Sequence, residues 1–173
     1  LYHNAAGTMG DIGSNDTEYW FWVRDKTQKA LYYCNYDEAE ANRQAATFQP
    51  DWIKEAMGLR VISESEMAEI SVKPGEQPGT LVLTHRPHKA GGETYTRVTI
   101  LDKATHQIRE HQLRSGDQKT ILARAEVPEG FKSYDIASES GSGNASVSIP
   151  ARLKLTWVQE GLELDVTFRN VLI

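Results

Sequence analysis

The stretch Gly-Ser-Asn-Asp-Thr-Glu-Tyr-Trp-Phe-Trp-Val-Arg, residues 13–24, holds the densest run of aromatic side chains in the sequence. In a β-strand, Trp20 and Trp22 would lie on one face, and Tyr19, Phe21 and Val23 would lie on the other. Both faces are apolar, whereas a strand with one solvated face alternates apolar and polar residues. The stretch therefore predicts a strand that is covered on both sides.

A hairpin and a helix are predicted after this strand, which spans 18–24. A polar turn leads to a second strand candidate at 30–34, which should pair with the first. Residues 50–57, Pro-Asp-Trp-Ile-Lys-Glu-Ala-Met, are predicted as a helix, because proline and aspartate suit a first helical turn. Gly58 suits the end of such a helix. Residues 37–47 could form a loop or a short helix.

Apolar residues of the helix and the strand are predicted to line and cover a hydrophobic cavity. On the helix, Ile53 and Met57 belong to one narrow apolar stripe, and Trp52 flanks it. So short a helix is marginal alone and must pack on something. Together with Trp20 and Trp22, these residues form the predicted cavity wall and lid. The open alternative is an ordinary core, because buried aromatic residues usually pack on each other.

The remainder of the sequence alternates with a period close to two, and the separators are rich in Gly, Pro and Asp. Residues 7–17 and 138–148 are predicted as loops. The fold class is mainly β (α+β): a curled antiparallel meander that forms an incomplete, half β-barrel with a short helical lid. Strands are predicted over 60–64, 68–73, 79–86, 93–102, 107–114, 119–127, 133–137, 149–157 and 162–171.

Length and composition exclude several classes of protein. The 173 residues fit a single domain, 1–173. The net charge of -5 argues against a nucleic-acid binder, and no apolar run approaches the roughly 20 residues of a membrane-spanning helix. Cys34 is alone and forms no disulfide framework. Because the sequence begins at Leu1 in a strand-like pattern, we expect a natural N-terminal segment to precede it.

Signatures of metal binding and catalysis are weak. The five-residue spacing of His106 and His111 on a predicted strand sends them to opposite faces, so that one ion cannot bridge them. These two, with His85 and His88, are predicted as surface residues. Neither a Gly-x-Ser-x-Gly elbow nor a phosphate loop is found. The sequence therefore predicts a non-enzymatic protein with no catalytic residue, metal or cofactor.

Several segments of the sequence carry a resemblance to a known family. They are Gly13-Ser14-Asn15, Tyr19-Trp20-Phe21-Trp22, Leu31-Tyr32-Tyr33-Cys34, Phe48-Gln49-Pro50-Asp51-Trp52-Ile53, Met57-Gly58-Leu59, Val98-Thr99-Ile100-Leu101-Asp102 and Ile149-Pro150-Ala151-Arg152-Leu153-Lys154-Leu155. These segments resemble a group of bacterial envelope proteins similar to LolA and LolB, the outer-membrane lipoprotein-sorting proteins. This resemblance implies an incomplete barrel with a helical lid that holds acyl chains or a similar moiety.

The function expected from the resemblance is that of a carrier or receptor in the bacterial cell envelope, in the periplasm or at the outer membrane. Its ligand would be a lipid, a lipoprotein acyl chain or another hydrophobic moiety, and an envelope protein could be a partner. The alternative is a β-rich structural or interaction module that fills its core with its own side chains and binds a protein partner. The two differ in whether the interior is open to a ligand.

Overall fold

The computed structural model describes residues 2–3, 7–8, 10–15, 17–23, 32–35, 50–90, 92–136, 145–159 and 161–168. Within these ranges the chain forms two helices, α1 (Pro50–Ala56) and α2 (Glu64–Ala68). The strands are β1 (Tyr2–His3), β2 (Gly7–Thr8), β3 (Gly10–Ser14), β4 (Glu18–Val23), β5 (Tyr32–Asn35), β6 (Ser71–Pro74), β7 (Thr80–Thr84), β8 (His88–Ala90), β9 (Glu93–Asp102), β10 (Ile108–Ser115), β11 (Ile121–Glu126), β12 (Phe131–Ile136), β13 (Ala145–Pro150), β14 (Arg152–Trp157) and β15 (Leu162–Thr167).

The largest sheet has eight strands, and every pairing in it is antiparallel. Its order is β15-β14-β11-β10-β9-β7-β6, with β8 also paired to β9. Three smaller sheets accompany it: β3-β4-β5, the hairpin β12-β13, and the short pair β1-β2. The prediction of a mainly β, antiparallel fold is confirmed. The meander is interrupted once, because the β12-β13 hairpin leaves the main sheet between β11 and β14.

The predicted hairpin and helix around the aromatic stretch are confirmed. Strand β4 pairs with β5, and Glu18 lies directly opposite Asn35. Helix α1 ends at Ala56, and Gly58 follows with φ 72°, a left-handed conformation that glycine adopts without steric cost. On β4, Tyr19 is buried. The alternatives for residues 37–47 lie outside the described residues.

The prediction of a loop over 7–17 was wrong, because β2 and β3 lie within it. Glycine and small polar residues suggested a loop, but Gly13 serves a packing role in β3. It lies directly opposite Trp20 of β4, and a Cβ atom at Gly13 would be 2.2 Å from Cζ2 of the indole. The glycine thus gives the Trp20 ring room to lie across the neighbouring strand.

The prediction of a strand over 60–64 was also wrong, because a capping box starts α2 there. The Ser63 hydroxyl accepts from the backbone N–H of Glu66, and the Glu66 carboxylate accepts from the backbone N–H of Ser63. These reciprocal bonds satisfy two amide donors at the helix start. They outweigh the short apolar alternation that indicated a strand.

The strand predicted over 149–157 is divided between β13 and β14 at Ala151. Pro150 ends β13, and a proline has no N–H with which to continue a ladder. Strand β13 begins at Ala145, so the end of the loop predicted over 138–148 is part of the β12-β13 hairpin.

One face of the main sheet carries the core. Helix α1 packs on it over β10 and β11, where Trp52 meets Trp157 edge-on with ring centroids 5.7 Å apart. The strand register places one residue from each of seven strands in a single row on this face. The row runs Val72, Leu83, Thr99, His111, Ala125, Leu155, Leu164.

No helix in the described part of the chain has the length and apolar character needed to cross a membrane.

Candidate functional site

A cavity of about 340 Å³ lies beside α1 on the core-carrying face of the sheet. Its volume falls within the range of ligand pockets, roughly 300–1,000 Å³. The segment between α1 and α2 forms one side, the β7, β9 and β10 strands form the floor, and the β12-β13 hairpin contributes the remainder. The cavity is lined by Glu55, Gly58, Arg60, Ile62, Leu83, His85, Thr99, Leu101, His106, Gln107, Ile108, Phe131 and Ser148.

The apolar part of the lining depends on a β-bulge in β10. Ile108 pairs with Leu101, whereas Glu110 pairs with Ile100, so that Arg109 is an extra residue on this strand. Because side chains alternate between faces, the extra residue turns Ile108 onto the cavity face. If the same residues of β10 paired with β9 without a bulge, Ile108 and Glu110 would lie on the same face, opposite to the cavity. Local chain geometry thus completes the apolar wall.

The polar end of the cavity is built around Glu55 of α1, whose side chain is only 6% exposed. Its Oε1 accepts hydrogen bonds from Arg60 Nη1 at 2.6 Å and from Arg97 Nη1 at 2.7 Å. Its Oε2 lies 3.2 Å from Nε2 of His111. The direction of this last contact departs from hydrogen-bond geometry, so that it is an electrostatic contact.

His111 connects this carboxylate to the sheet. The residue is 1% exposed, and its Nδ1 lies 2.8 Å from Oγ1 of Thr99, the residue directly opposite on β9. The imidazole stacks on Trp52, with centroids 6.5 Å apart and planes at 14°. Which of the two atoms donates in the contact with Thr99 depends on the tautomer of the imidazole.

The pKa of Glu55 results from opposing effects. Burial raises it, whereas the His111 contact and the charges of Arg97 and Arg60 lower it, and the net pKa lies below the ordinary value of 4.5. Glu55 is therefore ionised at neutral pH. The site combines a buried, paired charge with an apolar wall.

Arg60 extends the network to α2. Its Nη2 donates to Oε1 of Glu66 at 2.5 Å, so that one guanidinium joins carboxylates from both helices. Hydrogen bonds from the Ser63 backbone and hydroxyl, followed by that from Arg60, lower the pKa of Glu66 to about 2. These contacts fix the segment between the helices above the cavity.

The five residues predicted from the sequence as cavity wall and lid lie elsewhere. Trp52 is 1% exposed in the core, and Ile53 and Met57 are half-buried against that core. Trp20 and Trp22 are half-buried on β4. The residues that line this cavity do not include these five, and a ligand-contacting role for them stays a prediction. Helix α1 contributes Glu55 to the cavity instead of its apolar stripe.

The prediction that His111 is a surface residue was wrong, because the imidazole is buried on the core face of β10. Its position two residues before buried Leu113 could have indicated this, since residues i and i+2 share a face. His106 is exposed, but it lies in the turn before β10 with φ 57°, and not on a strand. His85 is half-buried in the cavity wall.

His88 provides a prediction on pH. Burial, and then the charge of Arg97, lowers its pKa from 6.5 to about 4. Between pH 6.5 and about 4, His88 therefore binds a proton in the unfolded chain and stays unprotonated in the folded chain. The free energy of unfolding consequently decreases as pH falls from about 6.5 to 4. We expect His88→Phe, which keeps a ring beside Tyr95, to reduce this loss.

Urea denaturation at pH 7, 5.5 and 4.5 measures the effect. His106→Asn is the matched control, because His106 is exposed and asparagine tolerates its positive φ. The control should follow the unmodified protein at each pH. An equal loss of stability in His88→Phe and the unmodified protein would contradict the prediction.

Comparison of the chain with protein-family models, with curated proteins and with solved structures gave no match.

Proposed function

We propose that this chain is a non-enzymatic carrier or receptor that binds a hydrophobic moiety in the cavity beside α1. The observation that supports this most directly is the apolar wall formed by Ile62, Leu83, Leu101, Ile108 and Phe131 around about 340 Å³ of space. An apolar ligand there would exchange contact with water for contact with these side chains.

The magnitude of this burial is sufficient for useful affinity. Each buried methylene contributes roughly 0.8 kcal/mol, so that about eight of them give roughly 6 kcal/mol before the entropic cost of association. An engineered apolar cavity of about 150 Å³ holds one benzene molecule. The cavity here is about twice that size and suits a single short chain of roughly a dozen non-hydrogen atoms.

A curled, half-barrel form of the sheet is part of the proposal. In it, α1 and the segment that follows act as a lid, and the row from Val72 to Leu164 marks the concave face. The resemblance to LolA and LolB supports a lipid or an acylated lipoprotein as the ligand. It also supports a location in the bacterial envelope, in the periplasm or at the outer membrane, with an envelope protein as possible donor or acceptor.

The alternative, a β-rich interaction module with a self-filled core, has one observation in its favour. Trp52 and Trp157 are buried and pack edge-on against each other, so that this part of the interior is occupied by the protein's own side chains. On this alternative the remaining cavity would hold no ligand. Binding measurements therefore separate the two functions.

We expect Leu83→Trp to weaken binding of a fluorescent fatty acid at least tenfold, because the larger side chain fills the cavity. Titration of the purified protein with the fluorescent fatty acid measures the affinity. Organic extraction followed by mass spectrometry detects any lipid that co-purifies with the unmodified protein. Val158→Trp is the control, because Val158 is 52% exposed and does not line the cavity. It should bind as the unmodified protein does.

Two outcomes would count against the proposal. The absence of both a co-purified lipid and fluorescent fatty acid binding would favour the self-filled module. Equal affinity in Leu83→Trp and the unmodified protein would move the binding site away from this cavity.

A further inference from the structure

We infer that His85 makes ligand binding in the cavity beside α1 depend on pH, an inference that rests on the proposed function. A hydrophobic ligand is held while the imidazole is neutral and is released when the imidazole binds a proton. The part of the ligand that contacts His85 is then an uncharged, apolar segment. The position of this imidazole, the charges around it and its hydration each contribute.

The His85 side chain belongs to the cavity wall. It is half-buried and directly follows β7, two residues after Leu83, which also lines the cavity. The backbone N–H of His85 donates to the carbonyl oxygen of Arg97 at 2.9 Å, so that the pairing with β9 continues to this residue. Residues i and i+2 of a strand share a face, and the imidazole therefore extends the wall that Leu83 forms.

Titratable and charged groups from several parts of the chain act on this imidazole. His106, which also lines the cavity, is exposed. The adjacent residue Arg86 pairs with Glu69 in an exposed ion pair, whose charges water and salt screen. The groups that interact with His85 electrostatically are Glu55 of α1, Arg60 of the segment between the helices, Arg97 of β9, His111 of β10 and His88 of β8.

These surroundings already disfavour a charged imidazole. Burial has the largest effect and lowers the pKa of His85 below 6.5. The charge of Glu55 raises this pKa, whereas His111, Arg97 and Arg60 lower it. Any further burial of the ring acts in the same direction as the burial that is present without a ligand.

A ligand in the cavity would replace solvent beside the imidazole with hydrocarbon. Transfer of a charged group into apolar surroundings costs much more free energy than transfer of a neutral one. Ligand and proton therefore weaken each other's binding, and by linkage they do so by the same factor. Because the ligand lowers a pKa that already lies below 6.5, affinity is highest above pH 6.5 and decreases as pH falls below that value.

Isothermal titration calorimetry with decan-1-ol tests this inference, because the alcohol carries no charge at any pH used. We expect its affinity for the purified chain to decrease at least threefold between pH 7.5 and 4.5. Titrations at pH 5.5 in two buffers with different ionisation enthalpies should show that binding releases protons. In His85→Gln the affinity should change by less than about 1.5-fold over the same range, without proton release. Glu55 stays ionised over this range, because its pKa lies below 4.5.

His88→Phe is the matched control, because His88 also has a lowered pKa but does not line the cavity. This variant should keep the pH dependence of binding. Circular dichroism restricts the comparison to pH values at which each protein is folded, and His85→Phe takes the place of His85→Gln if the latter does not fold.

Three results would overturn the inference and leave the proposed function standing. They are an affinity of the unmodified protein that is independent of pH, an unchanged pH dependence in the His85 variant, and a loss of pH dependence in His88→Phe. No binding of decan-1-ol to the unmodified protein at pH 7.5 would overturn both the inference and the proposed function.

Discussion

Replacement of Glu55 by alanine is expected to lower the free energy of unfolding by about 3–5 kcal/mol, because it removes one partner of a buried ion pair. Arg97 and His111 would then remain in the interior without their carboxylate. A loss of this size is a large fraction of the roughly 5–15 kcal/mol that stabilises a typical domain. If the unmodified protein lies at the lower end of that range, part of the Glu55→Ala protein would be unfolded at room temperature.

Urea denaturation followed by circular dichroism measures this change. Glu76→Ala is the control, because Glu76 is exposed in the turn between β6 and β7 and should change stability by less than about 0.5 kcal/mol. Glu55→Gln keeps the shape and one carbonyl acceptor, and it should fall between the two. If Glu55→Ala and Glu76→Ala lose the same small amount, the network contributes little to stability.

Replacement of Trp52 by alanine is expected to cost about 3–5 kcal/mol, the usual range for truncation of a large buried aromatic residue. The indole is 1% exposed and contacts both Trp157 and the imidazole of His111. Its removal would leave a void between α1 and the sheet and would loosen the packing of α1, the helix that carries Glu55. Weaker ligand binding is expected as a second effect.

Thermal and urea denaturation provide the measurement, with Val61→Ala as the control, because Val61 is 89% exposed. Added indole should raise the unfolding midpoint of Trp52→Ala by more than that of the unmodified protein, since only the variant has the void that the indole ring fits. A midpoint in Trp52→Ala close to that of Val61→Ala would mean that α1 packs differently.

Much of the fold could be predicted because hairpins and helix ends depend on neighbouring residues. The alternation on β9 and β10 and the proline and glycine that bound α1 are local signals, and each produced the expected element. The errors arose where a local sequence pattern was compatible with more than one structure. Gly13 suggested a loop, whereas its missing side chain makes room for Trp20 on the next strand.

The candidate site could not be predicted in the same way, because its residues are far apart in the sequence and are brought together by the pairing register of the strands. Glu55 and Arg97 are 42 positions apart in the sequence, and His111 reaches Glu55 from a third element. Only the pairing of β9 with β10 brings Thr99 opposite His111. Alternation alone would also have placed Ile108 on the wrong face. The parity of His111 with Leu113 was the one usable local signal.

Arg109, the extra residue of β10, can be lost without a change in the wall of the cavity. Loss of this one codon would remove the bulge and leave Ile108 opposite Leu101, still on the cavity face, because the shortened strand then alternates regularly from His111. His111 and Leu113 would keep their partners on β9. Descendants of this sequence could therefore lose the bulge without rebuilding either the cavity wall or the core.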